Sequence, residues 1–181
     1  MVCILLGRGF EESEALVPAD LLRRAGVDVA LTALQGQEVT GGHGITVKAD
    51  LSLDQLDPAQ VEMVFLPGGL GGVDAISACP KALELVHAVH SQGRYVAAIC
   101  AAPTILAALG LLENRRAVCY PGMEEQMAGA SVQKGTPVVV DGTLVTGEAA
   151  GSAFSFGLKL VELLKGSNTA QKVRESVHYH G

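Results

Sequence analysis

Three features of this chain predict an α/β fold built on a mostly parallel sheet. Short continuous apolar runs, Val2 to Leu6 and Met63 to Leu66 above all, have the length and composition of strands buried on both faces. Amphipathic, helix-like stretches separate them, the pattern of a sheet covered by helices on both sides. Acidic or glycine-rich segments follow the strand-like runs directly, at the carboxyl ends of strands where open α/β sheets gather ligands.

The elements follow in order. After Val2 to Leu6, Glu11, Glu12 and Glu14 belong in a first helical turn, where the positive end of the helix dipole favours acids. Pro18 is expected early in that helix, and Arg23, Arg24 and Gly26 mark its end. Val27 to Leu34 reads as the next strand, and residues 35–50 as turn and hairpin, punctuated by Gly36, Gly41, Gly42 and Gly44. Met63 to Leu66 runs into Pro67-Gly68-Gly69-Leu70-Gly71-Gly72. Lys81 to Gly93 is an amphipathic helix, Tyr95 to Ile99 a strand, and Pro103 to Leu112 a helix. Asp141-Gly142 is a hairpin signal between Pro137 to Val140 and Thr143 to Thr146. Ala153 to Leu164 is a helix closed by Gly166, and Asn168 is positioned to cap a last helix reaching about Val177.

At 181 residues with 49% hydrophobic and 18% charged positions, the chain suits one domain spanning 1–181. Its net charge of −6 and lack of a basic run argue against a nucleic-acid partner. No stretch approaches the roughly 20 apolar residues that span a bilayer, and Met1 to Gly7 lacks the basic flank of a signal peptide. A cytoplasmic location is the default expectation. Cys3, Cys79, Cys100 and Cys119 are widely spaced, which favours free thiols over a disulfide framework or a zinc site. Gly7-Arg8-Gly9 lacks the third glycine of a dinucleotide loop, since Glu12 holds that place. His87 and His90 share a helix without further ligands, and His178-Tyr179-His180 reads as a tail, so no metal and no cofactor are expected.

Ala97-Ala98-Ile99-Cys100-Ala101-Ala102-Pro103 carries the most chemistry. A strand ends on a nucleophile-type residue, a helix begins at once, and small residues flank the cysteine as a sharp turn requires. The helix start and free N–H groups are expected to lower the Cys100 pKa, and the amides of Ala101 and Gly69 to form an oxyanion hole. On this pattern alone, a buried structural cysteine stays equally open.

Gly9-Phe10-Glu11-Glu12-Ser13-Glu14 with Pro18, Arg23-Arg24-Ala25-Gly26, Leu66-Pro67-Gly68-Gly69, the Cys100 segment and Phe156 to Leu164 together resemble the ThiJ/PfpI superfamily, in the same order and over nearly the whole chain. The resemblance is greatest to its deglycase branch. It implies a flavodoxin-like sandwich, a homodimer and a cysteine paired with an acid from the loop after the first strand, here Glu14 with Glu11 nearby. Gly68 joins Gly69 in the substrate loop. Three departures stand out. Ala101 occupies the place of the histidine that follows the cysteine in protease-like and amidotransferase-like branches. Tyr120 stands where a histidine precedes proline. His43 falls where relatives carry arginine, and so belongs to the expected pocket. Arg24 is expected to reach a partner subunit's site.

The implied activity is cofactor-free detoxification of reactive carbonyls, either conversion of methylglyoxal to lactate (glyoxalase III) or removal of glycation adducts from proteins and nucleotides. The alternative from another class is a redox sensor or chaperone in which Cys100 oxidises to a sulfinate.

Overall fold

The computed structural model describes residues 1–181. Its strands and helices alternate as β1 (Val2–Leu6), α1 (Glu12–Arg24), β2 (Val29–Ala33), β3 (Glu38–Thr40), β4 (Thr46–Lys48), β5 (Leu51–Ser52), β6 (Met63–Leu66), α2 (Leu70–Ser77) and α3 (Pro80–Ser91). There follow β7 (Tyr95–Ile99), α4 (Pro103–Ala108), β8 (Arg116–Ala117), β9 (Ser131–Val132), β10 (Val138–Asp141), β11 (Leu144–Gly147), α5 (Ala153–Lys165) and α6 (Ser167–Ser176). Seven strands form one sheet in the order β10-β11-β7-β6-β1-β2-β5. Every neighbouring pair is parallel except β10 with β11, the hairpin turned by Asp141-Gly142. No helix is long and apolar enough to cross a membrane.

Side chains leave a strand alternately to its two faces, and two cores result. Cys3 and Leu5 of β1 join Val96 and Ala98 of β7 beneath α2, α3 and α4. Val2, Ile4 and Leu6 join Ala97 and Ile99 on the opposite face beneath α1, α5 and α6. Because both faces are covered, the central strands can be apolar throughout, and β1 and β6 are buried at every position.

Several elements differ from the sequence reading. Pro18 lies in the interior of α1 instead of its first turn. Proline there removes an intrahelical N–H, but it also offers a flat surface, and α5 closes onto it at Gly157. Asn168 is inside α6, whose cap is Gly166 at φ 83°. The glycine-rich run after β6 gives way to α2, because only Gly68 and Gly69 are needed for the turn. Helix α4 stops at Ala108, short of Leu112, and Gly110 follows in the left-handed region. The short strands β5, β8 and β9 carry too few residues for a periodic signal.

The close approach of α1 and α5 gives a direct test of packing. A Cβ added at Gly157 would lie 2.8 Å from Leu21 Cδ1 and 2.9 Å from Pro18 Cα, whereas one at Gly151 would meet nothing within 4 Å. Gly157→Ala is therefore expected to lose about 1–3 kcal/mol of stability in urea unfolding, as overpacked cores do. Gly151→Ala should stay within about 0.5 kcal/mol of the parent. Equal behaviour of the two variants would contradict the packing described.

Candidate active site

The register of the central strands brings the candidate residues together. Leu66 of β6 is paired with Ala98 of β7, so two residues further on Gly68 and Cys100 sit side by side at the same edge of the sheet. Cys100 itself has φ 66°, a left-handed conformation that costs a non-glycine residue roughly 1–2 kcal/mol. Two backbone bonds hold it there. The Cys100 N–H donates to Gly147 O (3.0 Å), and the Tyr120 N–H donates to Cys100 O (2.7 Å). The expected elbow is present, and it points the thiol away from the strand direction toward α1.

Glu14 meets it from the first turn of α1. This carboxyl is only 1% exposed, and its Oε2 accepts the Gly68 N–H at 2.9 Å. It borders the same space as Cys100, and each group acts on the other's ionisation. Burial pushes the Glu14 pKa up to about 7, against the pull of the bonds to Cys100 and Gly68. Gly68 must lack a side chain: a Cβ there would meet Glu14 Oε2 and lie 2.7 Å from Cys100 Cβ and 3.1 Å from its sulfur. Gly69, at φ 83°, and Ala101 flank the thiol, and their amides lower its pKa.

The thiol pKa departs from the expectation of a simply depressed value. Burial, then the Glu14 charge and the bond to Glu14, push it up to about 12, while the Ala101 and Gly69 amides pull it down. Helix α4 has six residues, too short for a strong dipole at its start. Two of the three causes of the rise exist only while Glu14 is ionised. When Glu14 carries its proton, the charge contribution vanishes and the acid is able to donate to the sulfur. Cys100 and Glu14 are therefore one titrating pair.

The other candidate residues divide clearly. Glu11 caps α1 at the rim; its N–H donates to Gly68 O (2.9 Å) and its charge acts on Glu14. Tyr120 contributes its backbone to the elbow, and its side chain is exposed. His43 is tied to Glu12 by Nδ1 at 2.9 Å, with Glu11 at 3.6 Å, and its ring lies largely in solvent. Arg24 pairs with Asp20 in the last turn of α1, about 15 Å along the helix from Glu14 at 1.5 Å per residue, so this chain does not bring it to its own site. Of the remaining cysteines, Cys3 and Cys119 are buried and Cys79 caps α3. Gly7 and Gly9 serve close packing against Gly72 and Gly71, not a nucleotide.

Glu12 is the residue that sequence reasoning missed. It is 5% exposed and anchors the β3–β4 turn. Glu11, Glu12 and His43 are the three side chains that approach as potential metal donors, but Glu12 already accepts from His43 and two backbone N–H groups. Neighbouring Gly41, which has no room for a side chain beside that carboxyl, was the available signal.

The Glu14 shift makes a stability prediction. Unfolded, Glu14 ionises near 4.5; folded, it keeps its proton to about 7. The folded state binds more protons between those values, so this group's contribution is complete below pH 4.5 and is lost as pH rises through 7. The shift corresponds to ~3 kcal/mol. Glu14→Gln, neutral at every pH, is expected to gain stability over the parent by up to that amount at pH 8 and nothing at pH 4. An equal difference at both pH values would show that Glu14 is not held protonated.

Residues 1–163 match the model of the DJ-1/PfpI family. The chain is 37% identical over 176 residues to Protein dj-1beta of Drosophila melanogaster, covering 96% of this chain and 94% of that one. It is 32% identical over 165 residues to Deglycase PfpI of Pyrococcus furiosus, covering 91% and 99%. The crystal structure of Drosophila melanogaster DJ-1beta superposes with a TM-score of 0.95 at 35% identity, over 99% of this chain and 98% of that one. With the fold matched along its length and a family model spanning nine-tenths of the sequence, the chain belongs to the DJ-1/PfpI family.

Proposed function

We propose that this protein is a cofactor-independent enzyme that consumes reactive carbonyls through Cys100. The observation that carries the reading is the Cys100–Glu14 pair itself, a thiol and a buried acid that meet over the bare Cα of Gly68. Relatives named as deglycases support the substrate class.

In this reading the Cys100 thiolate adds to the aldehyde carbon of methylglyoxal, and Glu14 gives its proton to the new oxygen. The amides of Gly69 and Ala101 hold that oxygen while its charge develops. Glu14, now ionised, takes the proton from the same carbon and returns it to the neighbouring one through an enediol. The resulting thioester is hydrolysed by one water, giving lactate and the free thiol. An early glycation adduct joins the same route once its carbon–nitrogen bond breaks: the amine leaves with a proton, the hydroxyl loses one, and the aldehyde so freed takes the thiolate. A homodimer is part of the proposal, with Arg24 facing the partner.

A redox role has one observation in its favour. Cys100 is partly exposed beside an acid able to donate to a sulfinate.

Purified protein with methylglyoxal and no glutathione is expected to form lactate. Cys100→Ser should form none, and Glu14→Gln should be slowed about 10²–10⁴-fold, the usual contribution of a general acid–base. Tyr120→Phe should stay within about threefold, because Tyr120 serves the elbow through its backbone and surface side chains away from special features matter little. The singly protonated pair is the active form, so kcat/KM should rise roughly tenfold per pH unit below about 7 and level off above it. No lactate, with Cys100 still the thiol that peroxide oxidises first, would overturn the enzymatic reading in favour of the redox one.

A further inference from the structure

We infer that Glu12 is a positioning residue for the Cys100–Glu14 centre, acting by fastening the β3–β4 turn to the loop that aims the Gly69 N–H at the thiol. The inference rests on the reading of Cys100 and Glu14 as the reacting pair.

Glu12 opens α1, and its carboxyl is almost wholly buried, an uncommon place for an acid without partners. All its partners come from one turn. Oε1 accepts the N–H of His43 at 2.8 Å and of Ile45 at 3.3 Å, and Oε2 faces His43 Nδ1 at 2.9 Å. Burial opposes ionisation, but these bonds outweigh it and hold the Glu12 pKa below the usual range. Two further bonds clamp the same segments: Gly9 N–H to Thr40 O and Gly42 N–H to Phe10 O, each 2.8 Å. Residues 9–12 are thus locked to the hairpin on one side.

On their other side they reach the site. The Glu11 N–H donates to Gly68 O at 2.9 Å. That carbonyl and the Gly69 N–H belong to one planar trans peptide and point in opposite directions. Fixing the carbonyl on Glu11 therefore fixes the direction of the Gly69 N–H, which lowers the thiol pKa. The chain of contacts runs from the hairpin through Glu12 and Glu11 to the Gly68–Gly69 peptide, and Gly68 packs against Cys100. Glu12 touches no reacting atom; it acts through its chain neighbour Glu11, which holds the Gly68 carbonyl beside the thiol.

The test is the rate at which iodoacetamide alkylates Cys100 at pH 7.5, followed peptide by peptide by mass spectrometry. It needs no turnover, so its result stands whether or not methylglyoxal proves to be a substrate. Glu12→Ala is expected to slow Cys100 alkylation about tenfold, the loss of part of a hydrogen bond to a charged acceptor. Where turnover is measurable, kcat should fall with KM within threefold. Glu12→Gln, whose amide oxygen still accepts the His43 and Ile45 N–H groups, should remain within threefold of the parent. Asp50→Ala removes a different staple, to Arg23 and the Leu31 N–H, and should lower stability while leaving the alkylation rate unchanged. If Glu12→Ala does not fold, Gly41→Ala replaces it, since its Cβ would press on the Glu12 carboxyl. Parent-like alkylation in the variant that folds would overturn the inference, as would an equal slowing in Asp50→Ala.

Discussion

Cys100 sits at φ 66°, and the site is organised around keeping it there. A non-glycine residue enters the left-handed region only when its surroundings over-determine it. Here the surroundings are two neighbouring chain segments. The carbonyl of Gly147, at the end of β11, accepts the Cys100 N–H, and the N–H of Tyr120 closes on the Cys100 carbonyl. Both segments are anchored deep in the sheet, since β11 pairs with β7 along its length and Val118 donates to Thr146 Oγ1 at 2.9 Å. The parallel sheet thus supplies the rigidity that a residue in this conformation needs, and the turn carries the thiol out of the strand toward α1. Any change that loosens β11 or the segment before Tyr120 acts on the thiol without touching it.

Glycines provide the complementary constraint, which is the absence of atoms. The space that Glu14 and Cys100 share is the space a Gly68 side chain would fill. Gly69 reaches its own left-handed conformation to present an N–H, and Gly7, Gly9, Gly71 and Gly72 bring α2 against the loop after β1. This contact lets the acid on α1 and the loop after β6 occupy one pocket edge although more than 50 residues separate Glu14 from Gly68. The packing of α5 onto α1 at Gly157 and Pro18 then fixes the helix that carries the acid.

Much of this was legible in the residues, for physical reasons that also mark the limits. Strands β1, β6 and β7 were readable to the residue because burial on both faces leaves an unbroken apolar run. The elbow was readable because its sterics demand alanines around Cys100. Pro18 was misplaced because a proline's cost depends on what packs against it, and α5 is remote in sequence. Glu12 was missed for a similar reason: a first-turn acid looks solvated until the hairpin 30 residues later covers it. The thiol pKa could not be read from the elbow, since its sign depends on whether Glu14 holds a proton. Pairing Glu14 with Cys100 came from the family resemblance; periodicity places Glu14 only on a helix.

That dependence is the central feature of the chemistry. An isolated cysteine is made reactive by lowering its pKa, but nucleophilicity falls along with it. A cysteine beside a buried acid meets a different condition. Between the two macroscopic ionisations the pair holds one proton, and moving it from sulfur to Glu14 costs no exchange with solvent. The amides of Ala101 and Gly69 favour the thiolate arrangement and burial of Glu14 favours its neutral form; both work against the burial of Cys100, which is the largest influence on the thiol. With the acid's proton lost at about 7 and the thiol's held to about 12, the single proton rests mainly on sulfur, and its passage to Glu14 is what supplies the thiolate. Such a centre suits addition to a carbonyl, where charge appears on oxygen as it leaves sulfur, better than it suits displacement, where the proton would be needed elsewhere. On the proposed reading, the one-proton exchange between Cys100 and Glu14 is what addition to a carbonyl would draw on.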